Sequence, residues 1–125
     1  DYQGCLAINC GDGNLVRDVL FDNIRIEQIA EGCIAQVKVG YNQKYCTAPG
    51  KAVEDITFRN VRYYGETPNL SIINGYDAGH RVQNVTFEGL KINGQTIHDD
   101  MLGKPKWYAT ADYVPMYVGN HASEW

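Results

Sequence analysis

The sequence predicts an all-β fold of stacked repeats, a solenoid, and two observations carry that prediction. The first is a phrase written three times: VRDVLFDNIRIE from Val16, VEDITFRNVRYY from Val53 and VQNVTFEGLKIN from Val82. A repeat of this size marks a solenoid, and its apolar residues alternate by two, as strands require and helices do not. The second is a shorter strand ahead of each phrase that ends in glycine: CLAINCG to Gly11, AQVKVG to Gly40 and LSIING to Gly75.

Taken in order, the first strand of each unit aligns on its glycine. Leu6, Ala35 and Leu70 then share a column, as do Ile8, Val37 and Ile72. The segments after the glycines vary widely in length (GDGNL, GYNQKYCTAPGKA, GYDAGHR). A solenoid tolerates such insertions because loops project from the stack without disturbing it. In the longer phrase, Val19, Ile56 and Val85 form one inward column and Phe21, Phe58 and Phe87 the next. Asn23, Asn60 and Gly89 follow, then Ile24, Val61 and Leu90, then Ile26, Tyr63 and Ile92. The unit reads as two short strands joined by a tight turn at the Asn. Asparagine tolerates the left-handed region there, glycine reaches it freely, and stacked asparagines can bond one another as a ladder. Successive units should lie ~4.8 Å apart, the spacing of hydrogen-bonded strands.

The tail changes character after Gly94. Val114, Met116 and Val118 alternate as a last strand, with Pro115 placing it at an edge. Trp107, Tyr108 and Trp125 are read as an aromatic plug on the stack, or alternatively as a sugar platform. The expected division is therefore repeats over 1–97 and a capping segment over 98–125. The chain's 125 residues make one domain, with no apolar run long enough to span a bilayer. It opens mid-pattern at Asp1, which reads as a piece of a longer or processed protein. An uncovered first repeat would be a row of unpaired strand edges. Upstream repeats or a second copy in a homo-oligomer are expected to cover it.

A formal charge of −4 argues against a nucleic-acid partner. The nine tyrosines suit strands and also suit the faces of sugars. Of the four cysteines, Cys10 falls in an inward column with Val39. Cys5 and Cys33 lie about one repeat apart, which leaves a bridge geometrically open, although buried free thiols are preferred. Cys46 sits in the longest loop, and no ligand spacing suggests a metal. No cofactor is expected.

Hydrolysis of a glycoside usually needs two carboxyl groups about 5–9.5 Å apart. The outward columns of the shorter strands read Ala7, Gln36, Ser71 and Asn9, Lys38, Ile73, and neither holds an acid. In the longer phrase Asp22, Arg59 and Glu88 alternate in sign, as surface ion pairs would. Arg25, Arg62 and Lys91 form a column of like charge. Stacked cations repel, so either Glu27 and nearby acids neutralise them or an anionic chain lies along them, and the first is preferred. The loops after the glycines bring Asp12, Tyr41, Asp77 and His80 to one side. A His and an Asp in one loop can exchange protons, although Gly-Asp-Gly and Tyr-Asp-Ala-Gly are also ordinary turn chemistry.

The repeat VxxVxFxNVxI, with its Asn turn and the strand before it, resembles the right-handed parallel β-helix of pectin-lyase-like proteins. Within that group it is most similar to polygalacturonase-type glycoside hydrolases of family 28. HRVQNVTFEGLKINGQTI, from His80 to Ile97, looks like their final coils. The likeness covers about residues 4–97 and implies a right-handed β-helix of about three coils with a C-terminal cap. It also implies hydrolysis of a pectin-like polysaccharide outside the cell or in a periplasm. The family's aspartate pair would fall just before CLAIN, where Gln3 and Gly4 stand, and no Gly-His-Gly-like motif follows. QVKVG resembles the family's Arg-Ile-Lys motif, with Gln36 in place of the arginine and Lys38 kept as a sugar contact.

The expectation is thus the C-terminal part of a polysaccharide-degrading protein whose catalytic acids lie elsewhere. A polysaccharide or oligosaccharide would meet Lys38, Tyr41, Asp77 and His80. A non-catalytic β-helix that binds carbohydrate or assembles is the alternative. Lyase chemistry ranks third, lacking a calcium site or a basic proton abstractor.

Overall fold

A computed structural model of the chain describes residues 4–28, 33–41, 44–66, 71–97, 116–118 and 122–123. Ten strands run in order through it: β1 (Gly4–Cys10), β2 (Leu15–Ile26), β3 (Cys33–Val39), β4 (Ala52–Tyr63), β5 (Ser71–Asn74), β6 (Val82–Glu88), β7 (Lys91–Ile92), β8 (Gln95–Thr96), β9 (Met116–Val118) and β10 (Ala122–Ser123). The protein is all-β among these residues. One sheet has the order β1-β3-β5-β9. The other has the order β10-β6-β4-β7-β8, with β2 also pairing β4. Every pairing is parallel except the short β7–β8 hairpin.

The register of the longer phrase follows the repeat residue for residue. Val19, Ile56 and Val85 pair across three strands, as do Phe21, Phe58 and Phe87. Ile24 pairs Val61, and Ile26, Tyr63 and Ile92 align. These side chains fill the space between the two sheets. One hydrophobic cluster holds Val37, Val39 and Ile73 of the first sheet together with Val53, Ile56, Phe58 and Val85 of the second. The three phenylalanine rings stack with centroids 4.9 and 4.8 Å apart and planes within 8° of parallel. Strand spacing alone sets that distance.

The first two long phrases are each one continuous strand with two sharp bends, where the sequence suggested two strands and one turn; the third divides at Gly89 and Leu90 into β6 and β7, as suggested. The first bend places Asp18, Asp55 and Asn84 at φ of 56, 58 and 56°; the second places Asn23, Asn60 and Gly89 at 55, 53 and 70°. Short polar side chains occupy left-handed backbone at least cost, so Asp and Asn recur there for one physical reason. The Asn23–Asn60 bond of a ladder is not formed; Arg62 Nη2 donates to Asn23 Oδ1 at 3.0 Å instead. In the other bend Asn84 Nδ2 donates to Asp55 Oδ1 at 2.6 Å. Replacing Asn60 by alanine should cost about 1–2 kcal/mol of stability and replacement by glycine clearly less, since only alanine strains the left-handed residue. Urea unfolding of the two variants reads the difference directly.

In the shorter strands the alignment holds once and then slips. Leu6 pairs Ala35, Ile8 pairs Val37 and Cys10 pairs Val39. From β3 to β5, however, Val37 pairs Ile73 and Lys38 pairs Asn74, one residue away from the alignment on Gly75. Ile73, not Ile72, is buried, and Ser71 turns inward, where its Oγ accepts the Ala35 amide at 3.1 Å. The outward rows are therefore Ala7, Gln36, Ile72 and Asn9, Lys38, Asn74. Core filling sets this register: either isoleucine can enter, and the buried serine finds its donor in only one setting. Gln36, expected outside, is only 3% exposed, and Ile34 beside it is also buried.

All four cysteines are free. Gly4 pairs Cys33, so Cys5 belongs to the opposite face and is exposed while Cys33 is buried, which removes the bridge. Burial pushes the Cys10 and Cys33 thiols up from their ordinary value. Leu70, Val114, Pro115, Trp107, Tyr108 and Trp125 lie outside the described residues. Of the tail, β9 adds to β5 and β10 adds to β6.

Candidate functional site

The end of β5 leads into a turn that its sequence specifies closely. Asp77 and His80 form an antiparallel bridge around Ala78 and Gly79, with the His80 amide donating to the Asp77 carbonyl at 3.2 Å. Asp77 Oδ1 accepts the Gly79 amide at 2.9 Å, so the carboxylate ties down the turn that carries it. The same oxygen lies 2.6 Å from His80 Nδ1. With the Nδ1 proton directed at the carboxylate, Nε2 remains as the nitrogen that can exchange a proton.

The hydrogen bond from His80 holds the Asp77 carboxyl below its usual range, and the Gly79 amide adds to the effect. A depressed carboxyl stabilises the fold above its unfolded pKa, and that contribution is lost as pH falls through the folded value. An NMR titration of the Asp77 carboxyl should therefore give a midpoint below the ordinary aspartate value, and His80→Ala should raise it. An unchanged midpoint in His80→Ala would remove the pairing from the account.

Two tyrosines complete the cluster. Tyr76, 44% exposed, meets His80 edge-on with centroids 6.1 Å apart. Tyr41, from the segment after β3, meets Tyr76 edge-on at 6.3 Å. The rings come together because the strands preceding them pair: Lys38 opposite Asn74 puts the two strand exits side by side. Just before those exits runs the polar outward row Asn9, Lys38, Asn74. Asp77 and His80 thus meet directly, Tyr41 joins them through Tyr76, and Lys38 precedes them on the adjoining row. Sequence reasoning passed over Tyr76 and Asn74. The signal for Tyr76 was a Gly-Tyr pair at the end of two successive strands, Gly40-Tyr41 and Gly75-Tyr76.

Asp12 has a different role. Its Oδ1 accepts the Thr47 amide at 2.7 Å and the Thr47 hydroxyl at 3.4 Å, anchoring the 44–50 loop. Among the described residues no three His, Cys, Asp or Glu side chains gather as metal ligands. The corrected outward rows of the first sheet hold no acid, so Asp77, committed to His80, is the cluster's single carboxylate.

On the second sheet the alternating column pairs in part: Arg59 Nε lies 3.6 Å from Glu88 Oε2, while among the described residues Asp22 forms no ion pair. Arg25 lies 3.5 Å from Glu27, as the neutralised reading of the cation column expected, and its guanidinium sits 4.6 Å over the Tyr64 ring. Comparison with protein-family models, curated proteins and solved structures finds no match to this chain.

Proposed function

We propose that the chain is a carbohydrate-binding segment of right-handed parallel β-helix type, belonging to a polysaccharide-degrading protein whose catalytic acids lie outside the residues described. The observation that carries the reading is the Tyr41–Tyr76–His80–Asp77 cluster at the exits of two paired strands. Half-exposed tyrosines present flat apolar faces to a sugar ring and hydroxyls to its rim. The imidazole, the carboxylate and the Asn9, Lys38, Asn74 row supply donors and acceptors beside them. Parallel in-register strands, polar residues at both bends and an inward phenylalanine column support the β-helix part of the reading.

A single carboxylate hydrogen-bonded to a histidine does not make the carboxyl pair that glycoside hydrolysis usually uses. Binding is therefore the role assigned to these residues, and the non-catalytic alternative shares it. The test is affinity for a panel of soluble polysaccharides, with reducing-end release followed in the same samples. The expected result is binding of at least one polysaccharide without release of reducing ends. Tyr76→Ala should weaken that binding roughly three- to tenfold, the range of about 0.5–1.5 kcal/mol that an aromatic contact supplies. Binding unaffected by both Tyr76→Ala and Tyr41→Ala would move the site elsewhere. Reducing-end release abolished by Asp77→Asn would instead make the dyad catalytic.

A further inference from the structure

We infer a second binding surface, on the outer face of the other sheet, where Arg25, Arg62 and Lys91 form a ladder for an anionic polysaccharide running across the strands. The three cations are paired in register, Arg25 with Arg62 and Arg62 with Lys91. They are spaced by about 4.8 Å, the distance between neighbouring strands. A like-charge row of this kind is destabilising unless anions answer it.

Among the described residues an acidic partner answers only one of the three. Arg25 has Glu27, but both side chains are largely exposed, at 59 and 77%, and such a pair exchanges readily with solvent and ligand. Arg62 makes one neutral hydrogen bond, to Asn23, and its Nε is shielded from solvent with no acceptor. Among the described residues Lys91 is exposed and has no hydrogen-bond or ion-pair partner. By contrast, Arg59 in the neighbouring column has Glu88, and Arg17 has Asp18 and Glu54. Lys38 and Lys51 also lack an ion-pair partner among the described residues, but among those residues only this column sets three cations in register, in a chain whose formal charge is −4.

The periodicity selects the ligand. A compact anion would meet one or two rungs, whereas a linear polymer with an anionic group on successive sugars meets all three at once. A carboxylate or sulfate oxygen in reach of Arg62 also gives its Nε an acceptor once the guanidinium turns away from Asn23. The shared chemistry is an anionic sugar polymer, and the charged group distinguishes its sources. The inference stands apart from the tyrosine cluster, which is built on the first sheet and needs no net charge.

The test measures binding of the full chain to dextran sulfate, carboxymethyl dextran and neutral dextran over a range of salt. Dextran sulfate or carboxymethyl dextran should bind at low salt and weaken as salt rises, and neutral dextran should not bind to this face. Lys91→Gln, which loses no internal partner, should lower affinity about threefold, and Arg62→Gln with Lys91→Gln about tenfold. Glu27→Gln frees Arg25 and should raise affinity. Arg62→Gln with Lys91→Gln should leave neutral-polysaccharide binding at the tyrosine cluster unchanged, which separates failure of this surface from failure of the sugar site. Absence of binding to either anionic polymer at low salt would overturn the inference. So would an equal loss from Arg17→Gln with Lys51→Gln, which removes the same charge elsewhere.

Discussion

Phe58→Ala is expected to lower the stability of the chain by about 3–5 kcal/mol, the largest effect of any single substitution considered. Phe58 is 1% exposed and lies between the rings of Phe21 and Phe87, 4.9 and 4.8 Å away. Removing it leaves a hole bounded above and below by rings that hydrogen-bonded strands hold at fixed spacing. The walls cannot collapse into it without breaking the pairings Phe21–Phe58 and Phe58–Phe87. Phe21 belongs to β2, which pairs on one side only among the described residues, and it is partly exposed. Phe21→Ala should accordingly cost less. Urea unfolding of both variants, read at the midpoint with the slope unchanged, gives the comparison. Equal costs would mean that the phenylalanine column is not enclosed as described.

Gly50→Ala is the second large effect, expected at about 1–3 kcal/mol and at the upper end of that range. A β-carbon at Gly50 would stand 2.3 Å from the Cys10 carbonyl oxygen and 2.5 Å from its carbon. Both obstacles are backbone, so no rotamer change relieves them. Three segments converge here: the Gly40 amide donates to the Cys10 carbonyl at 2.9 Å, and the Gly50 amide donates to the Gly40 carbonyl at 3.1 Å. Separating them loosens the exits of β1 and β3 and, one residue on, Tyr41. Gly50→Ala should therefore weaken sugar binding as well as stability. Gly40→Ala is the control, because a β-carbon there meets nothing within 4 Å. A harmless Gly50→Ala would contradict the packing of the 44–50 loop against β1.

How far the sequence could be read depended on how strongly each segment specifies its own register. The long phrase carries a phenylalanine, two flanking β-branched columns and an asparagine, so a slip of one residue would turn every inward side chain outward. Its pairings were legible at every position. The shorter strand before Gly75 offers Ile72 and Ile73 side by side, and alternation cannot choose between them. The choice rests on Ser71 reaching the Ala35 amide, a contact between residues 36 apart that no local pattern encodes. The first bend was missed because Asp18 and Asp55 were not recognised as turn residues. Their recurrence with Asn84, always just before a β-branched inward residue, was the available signal. Of the site, the Asp77–His80 pair was legible as a turn four residues long. Tyr76 depended on how β3 and β5 pair, and that register was the one misjudged.

The most direct test of the account is a chemical-shift titration of the isotopically labelled chain with an oligogalacturonate, the sugar class that the family resemblance implies. Amide shifts at Gly40, Tyr41 and the segment from Gly75 to His80, lost in Tyr76→Ala, are the predicted result, and shifts at Arg25, Arg62 and Lys91 from the second surface should persist in that variant. An oligosaccharide that leaves those amides unmoved, or moves only residues of β2 and β4, would contradict a sugar site at the exits of β3 and β5.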